Sequence, residues 1–432
     1  MKIEHIQIEN FKPLDSIELR PRMINLVVGK NNAGKTSLLE AIFLGINEKP
    51  GTANYVDNPS AIINYLSHEG VIRLETGGEE TSRLELKFRL LEPDELIKRL
   101  RTDLEERVDK LSGPEFVENI ARFYKPNDRN PLSKPMLPDR IRTQEILDSA
   151  LQNETLRDQF IRAVKESIEV TVKSGNEIYT GKTYKSILLE LLRVLIEKTL
   201  NTGEKKNAIQ NILLNQLFYL DRYQTLSEGI FGETKITGSP REKQKVFYLK
   251  DPLSYLKQLK SNKEPAEKLE FDIETIIKEE NLVKNLLRFG FEAILVESSG
   301  GPKEILLDMM GDGFKTLISV LSLLTDSPRN SIILLEEPEV HLHPGYVIEL
   351  VRNLISLSRS SGIQLFISTH SYDLIDSFLN MDELEEQDKK FLESEFVIIR
   401  LTKNNDIVLS EEIDYMMAKE SLNTLLLDLR GI

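Results

Sequence analysis

Apolar positions along the chain follow two periods, and the period changes from segment to segment. KIEHIQIEN and DSIELR alternate apolar and polar residues on either side of a turn at Lys12-Pro13, the spacing of strands with one buried face. MINLVV, just before Gly29, is apolar almost throughout, as in a strand covered on both faces. KTSLLEAIFLGIN then repeats at helical spacing, with Leu38, Leu39, Ile42 and Phe43 on one side. VIRLET and RLELKFRL read as a strand pair divided by the turn-forming GGEE.

From residue 92 to 290 the pattern becomes long, charged and helical, as in EPDELIKRLRTDLEERVDKL and YKSILLELLRVLIEKTL. PNDRNPLSKPMLP lies between them; four prolines in 13 residues exclude a helix interior. No heptad run of coiled-coil length and no internal repeat is present. Near 291 strands and helices alternate again. FEAILVES and EILLDMM predict strands, FKTLISVLSLLTD a helix, SIILLEE a buried strand, GYVIELVRNLISLSR a helix and IQLFISTH another buried strand. EFVIIRLTKNNDIVLSEE predicts a hairpin around Asn404-Asn405-Asp406, followed by a short helix. Such alternation predicts an α/β fold with a largely parallel sheet, the early strands forming an antiparallel edge. The expected organisation is an N-terminal part over 1–91, a large, mostly helical insertion over 92–290, and a C-terminal part over 291–432.

Composition narrows the class. The 432 residues are 40% hydrophobic and 29% charged, a globular balance. No apolar run approaches the roughly 18 residues of a membrane helix, and the opening alternation lacks a signal-peptide core. A cytoplasmic protein without a membrane partner is the expectation. Cysteine is absent, which excludes disulfides and thiolate metal sites. A formal net charge of −14 argues against a surface that coats nucleic acid along its length. The segment 241–263 still carries seven Lys or Arg against two acids, with Phe247, Tyr248 and Tyr255 interleaved. It is either a local phosphate-binding patch or a solvated helix face with a loop, and the second reading is slightly favoured.

Four short motifs carry chemistry. Gly29-Lys30-Asn31-Asn32-Ala33-Gly34-Lys35-Thr36 fits the phosphate-loop pattern in its required place, after a strand and before a helix. Gly29 and Gly34 let the backbone curl so that its N–H groups face phosphate oxygens, and the helix start adds a positive dipole end. Lys35 is placed to reach the β and γ phosphates, and Thr36 to ligate Mg²⁺. In LLEEPEVHLHP, Glu336 and Glu337 end a buried strand, where carboxylates face the ligand crevice of parallel sheets. One suits the Mg²⁺ shell and the other the attacking water; a solvated acidic loop is the plainer alternative. In FISTHS, His370 ends the next strand, placed either to hydrogen-bond the γ-phosphate or water or simply to serve structure. His341 and His343 lie two apart and point oppositely if extended, so no zinc site is expected. In MMGDGFKTL, Gly311 and Gly313 precede a strong helix, a place for an anion or merely a turn capped by Asp312.

In this order, with the opening IENFKPL, the motifs resemble ABC-class ATPase heads of the SMC and RecF type. GKNNAGKTSLLEAI and LLEEPEVHLHP resemble in particular the OLD-type ATPases and their AAA-labelled relatives, many of them phage-defence components. The resemblance covers about 1–90 and 285–375 and implies an ABC-type P-loop head. It implies that Gly29, Asn31, Asn32, Ala33, Gly34, Lys35, Thr36 and Ser37 bind ATP, with Thr36 and Glu336 on Mg²⁺. Glu337 would be the catalytic carboxylate, His370 the switch histidine, and Lys12 a basic residue near the nucleotide. Glu339 to His343 fall on a loop that lies across the family's dimer interface. Gly311, Asp312, Gly313 and Lys315 fall on the signature motif, which meets the γ-phosphate of the opposite subunit. Two positions depart: Glu336 replaces the usual aspartate, and Gly311 replaces the usual serine. Gln224 is a weak candidate for the glutamine loop.

Full-length OLD proteins carry a Toprim nuclease after the ATPase, and only 62 residues follow His370 here. The expectation is therefore an Mg²⁺-dependent ATPase without its own nuclease, acting as a homodimer or assembly of dimers. It would sense or remodel nucleic acid, in antiviral defence. Alternatives are a nucleotide-gated scaffold that releases a separate effector protein, a RecF-type DNA repair ATPase, and more weakly a small-molecule kinase.

Overall fold

The computed structural model describes residues 2–46, 69–77, 82–90, 95, 98, 168–174, 177–182, 246–261, 267–381, 384–404 and 407–423. In chain order the strands are β1 (Lys2–Phe11), β2 (Leu14–Leu19), β3 (Ile24–Gly29), β4 (Glu69–Gly77), β5 (Ser82–Leu90), β6 (Ile168–Ser174), β7 (Glu177–Lys182), β8 (Val246–Leu249), β9 (Leu286–Phe289), β10 (Ala293–Ser298), β11 (Gly301–Leu306), β12 (Ile332–Glu336), β13 (Gln364–Ser368), β14 (Phe396–Asn404) and β15 (Ile407–Asp414). The helices are α1 (Lys35–Ile46), α2 (Pro252–Ser261), α3 (Glu267–Glu279), α4 (Asp312–Asp326), α5 (Pro344–Ser361), α6 (Tyr372–Asn380), α7 (Glu386–Glu395) and α8 (Tyr415–Asn423).

One sheet positions the site. Its order is β15-β14-β3-β13-β12-β8, and β14, β3, β13, β12 and β8 all run parallel. Their carboxyl ends therefore share one edge. The apolar run of β3 is divided between two cores, as a strand covered on both faces should be. Ile24, Leu26 and Val28 face a cluster built with α4, α5 and α6. Val27 faces the other cluster, with α1 and the antiparallel sheet. Within α4, Phe314, Leu317, Ile318, Leu321 and Leu324 are buried at helical spacing, and each burial is worth about 1.5–3 kcal/mol. The start of α5 is set by His343, whose ring accepts from the Gly345 N–H, and by Pro344. Its end is set by Gly362 at φ 66°.

The early strands do not edge the parallel sheet. β1 and β2 belong to a separate antiparallel sheet of order β2-β1-β4-β5-β6-β7, and the antiparallel edge of the parallel sheet is β15. Alternation identifies a strand but not its partner, and β1 finds its second neighbour, β4, some sixty residues onward. β4 and β5 pair as expected from their patterns, as do β14 and β15. A third sheet, β11-β10-β9, lies beside α3.

Within 92–290 the described residues include strands as well as helices. β6 and β7 extend the antiparallel sheet, and β8 pairs with β12 at the end of the parallel one. The stretch from 246 thus contributes β8 to the parallel sheet of the head. Most of the two charged helical patterns, the proline-rich stretch 126–138 and Gln224 lie outside the described residues. Among the described residues no helix is long and apolar enough to cross a membrane.

Candidate nucleotide site

At the shared edge, β3 delivers Gly29, β12 delivers Glu336 and Glu337, and β13 leads through Thr369 to His370. The loop 29–34 has no room for side chains at its glycines. A Cβ on Gly29 would stand 2.4 Å from the Leu401 carbonyl oxygen, and one on Gly34, at φ 94°, 2.7 Å from Leu14 Cδ2. Asn32 also takes a positive φ, 63°. Asn31, Asn32 and Thr36 are exposed, Ser37 is half-buried, and Ala33 is buried against the antiparallel-sheet core.

Lys35 is buried and donates to the carbonyl oxygens of Gly29 at 3.0 Å and Lys30 at 3.1 Å. Desolvation holds its ammonium below the usual lysine range, and the charges of Glu337 and Glu336 work the other way. The Thr36 hydroxyl donates to Glu336 Oε1, and the Tyr248 hydroxyl donates to Glu336 Oε2 at 2.9 Å. Glu337 sits at φ 44° with its N–H on the Ser368 carbonyl at 3.0 Å. Its Oε1 lies 3.3 Å from His370 Nε2. A non-glycine residue at such a φ between two strand ends is the kind of strained position that functional sites retain. Lys35, Thr36, Glu336, Glu337 and His370 therefore converge, although they come from the start of α1 and from the ends of β12 and β13.

Thr36 and Glu336 offer a hydroxyl and a carboxylate, both hard oxygen donors, side by side at a helix start. That donor set fits Mg²⁺, which takes one or two protein ligands and completes its shell with phosphates and water. A bound cation would supply charge neutralisation between the phosphates.

The loop 337–343 carries this cluster toward the signature turn. Glu339 accepts from the Thr369 hydroxyl, whose oxygen in turn accepts from the Ser371 N–H at 2.9 Å. Burial pushes the Glu339 carboxyl above the usual carboxylate range. A Cβ on Gly313 would stand 2.6 Å from the His341 carbonyl oxygen, so the loop lies directly on the first turn of α4. Gly311 is the N-cap of α4 without a side-chain cap, and nothing lies within 4 Å of its Cβ direction. Asp312 pairs with Lys315 at 2.7 Å, and that hydrogen bond holds Asp312 below its usual range. Of the two other histidines in the region, His343 serves as a helix cap and His341 sits at φ 72° near Asp312.

Lys12 precedes Pro13 and Leu14, which stand against the Gly34 Cβ direction. It pairs with Glu40, one helical turn beyond Thr36, and Lys250 reaches the same carboxylate at 2.8 Å. Of the basic segment 241–263, residues 241–245 and 262–263 lie outside the described residues, and 246–261 are partly turned inward. Phe247 and Tyr255 pack against the larger core, Tyr248 reaches Glu336, and Lys260 pairs with Asp308 at 2.5 Å. Interleaved aromatics that are packed inward are not a stacking surface for bases. Sequence reasoning missed Tyr248, Lys250 and Glu40 as neighbours of the site. A β-branched and aromatic VFYL ahead of Lys-Asp-Pro was the available signal of a strand end there.

Residues 1–375 match the family model described as an AAA ATPase domain. The chain is 31% identical over 123 residues to an uncharacterized protein of Methanocaldococcus jannaschii, a match covering 28% of this chain and 100% of that one. It is 25% identical over 245 residues to the DNA double-strand break repair Rad50 ATPase of Pyrococcus abyssi, covering 54% of this chain and 26% of the relative. It is 24% identical over 417 residues to endonuclease GajA of Bacillus cereus, covering 87% of this chain and 56% of the relative. The chain thus spans about a quarter of the Rad50 relative and about half of GajA.

Proposed function

The chain belongs to the AAA ATPase domain family, among the ABC-class ATPases of SMC, RecF and OLD type, and from that premise we propose that it hydrolyses ATP with Mg²⁺ as part of a nucleic-acid-linked system. The observation that carries this reading is the meeting of Lys35, Thr36, Glu336, Glu337 and His370 at one sheet edge. Lys35 and the loop N–H groups would bind the β and γ phosphates. Thr36 and Glu336 would hold the cation. Glu337 would orient and deprotonate the attacking water, with His370 fixing that carboxylate and contacting the γ-phosphate. Positioning and charge stabilisation dominate phosphoryl transfer, so turnover would be slow until a second copy brings its Gly311–Lys315 turn to the γ-phosphate. The names of the Rad50 and GajA relatives support a link to DNA, and defence against phage is the biological setting we favour. The test measures ATP turnover by wild type and Glu337→Gln, with and without double-stranded DNA, while light scattering follows molar mass. Loss of turnover in the variant with retained ATP-dependent association supports the reading; unchanged turnover overturns the role of Glu337.

A second reading is favoured by Gly311, which brings no hydroxyl to a partner's γ-phosphate. There the nucleotide gates a scaffold that holds a separate effector protein. Fast sustained turnover by the isolated chain would exclude it.

A further inference from the structure

The metal-site carboxylate of this chain is a glutamate, and its two oxygens are held from opposite sides. Thr36 donates to Oε1 and Tyr248 to Oε2, the latter at 2.9 Å. We propose that Tyr248 is a positioning residue that fixes Glu336, so that the longer side chain presents one chosen oxygen to Thr36 and the cation. The inference rests on the reading of Glu336 as a metal ligand.

Glutamate has one more rotatable bond than aspartate, and its terminal torsion is broad. A carboxylate that must present one oxygen to a cation loses affinity when that torsion is free. A hydrogen bond from a neutral phenol to a charged carboxylate restrains it without changing the net charge of the site. Sheet register explains why Tyr248 is available. Leu334 lies opposite Tyr248 in the parallel pairing of β12 with β8, so Glu336, two residues on, shares the face from which Tyr248 projects. The same period of two places Lys250 beside Tyr248. On α1, Thr36 and Glu40 are four apart and share a face. Two rows therefore meet, Tyr248 and Lys250 on one side, Thr36 and Glu40 on the other, with Glu336 between the first rungs.

The phenol is itself held. The Phe43 ring lies 5.6 Å from the Tyr248 ring at 54°. Lys250 Nζ stands 5.1 Å from the Tyr248 centroid and 2.8 Å from Glu40 Oε1. Glu40 also accepts from Lys12. A tyrosine tethered at ring and hydroxyl restrains its partner far better than a free one, because its own rotamer entropy is already lost in the fold.

The test removes one oxygen atom. Tyr248→Phe keeps the ring contacts with Phe43 and Lys250 and deletes the hydroxyl. Manganese serves as the probe: its binding in the presence of ADP is read by electron paramagnetic resonance, and binding of a fluorescent ATP analogue is read in EDTA. We expect Tyr248→Phe to weaken manganese binding about tenfold, the usual scale for removing a group that orients a metal ligand. Metal-free nucleotide binding should be unchanged. In a Glu336→Asp background, where the shorter carboxylate draws back from the phenol, the same change should cost less than about twofold. Unaltered manganese binding in Tyr248→Phe overturns the proposal. So does an equal loss in both backgrounds, which would mark general packing, as would a lowered melting temperature accompanying the loss. Glu336→Gln separates the two levels. If it binds manganese like wild type, the metal reading of Glu336 fails; if it loses binding while Tyr248→Phe does not, only the role of Tyr248 fails.

Discussion

The phosphate loop and the signature turn are both glycine-rich helix starts, yet they differ in almost every physical respect. Around the first, glycine is demanded by crowding: a Cβ at Gly29 meets a backbone oxygen at 2.4 Å, and Lys35 is buried and doubly hydrogen-bonded. Around the second, Gly311 faces open space, Met309 is 77% exposed, and Asp312 spends its charge on its own helix neighbour Lys315. One half of the site is assembled within the chain. The other is presented outward at Met309 and Gly311, while Gly313 lies under the His341 carbonyl and Phe314 enters the core. A glycine motif thus has two meanings, close approach of the chain's own backbone or room for something else, and the neighbours at the Cβ direction distinguish them.

The largest effect that can break this comparison is chemical. Glu337→Gln should lower ATP turnover by at least about a hundredfold, the scale of losing a general base, while a fluorescent ATP analogue still binds. Next comes stability within the assembled half. Gly29→Ala should destabilise the fold by roughly 2–4 kcal/mol, because the clash is with backbone that cannot turn away. Denaturant titration checks this; a change below about 0.5 kcal/mol would mean that the loop is not held as described. Gly313→Ala should fall between, at about 1–3 kcal/mol, since the opposing atom belongs to a loop that can yield. Gly311→Ala should leave stability within about 0.5 kcal/mol of wild type and leave nucleotide binding by a single copy intact. If it also changes turnover at high protein concentration but not at low, the open half is completed by another copy.

The contrast bears on what could be read from the residues alone. The phosphate loop, the buried strands and the four motifs were legible because each depends on local order: a run of apolar residues, a turn, a helix start. Glu336 and Glu337 were found for the same reason, since they close a strand visible as IILL. Partnerships across long separations were not legible. Tyr248 and Glu336 are 88 residues apart, and Thr36 and Glu336 are 300 apart. The turn at Lys12-Pro13 pointed to the pairing of β1 with β2, but nothing in the spacing of β1 announced β4 as its other neighbour. The basic run 241–263 left two readings open. Its charges are real, but β8 within it is too short to show a period, and its aromatics serve the core and the site.

The loop between the two halves offers the smallest and sharpest test, because it is fastened by a half-buried acid with one oxygen fully enclosed. Glu339 accepts from Thr369 on the β13 side of the site, while its other oxygen, Oε2, is buried without a hydrogen-bond partner. Desolvation raises the carboxyl above its ordinary value of 4.5. The folded chain therefore holds that proton at a pH where the unfolded chain has released it. The stability this contributes is fully present below the unfolded value and is lost as pH rises through the folded one. Glu339→Gln copies the shape of the protonated acid and cannot titrate. Between about pH 5 and about pH 8, wild type should lose stability relative to Glu339→Gln, read from urea midpoints at each pH. If the difference between the two proteins is the same at both ends, Glu339 ionises in the fold at no cost. The acid would then not fasten the loop, and the signature turn would be linked to the phosphate site only through the packing of His341 on Gly313.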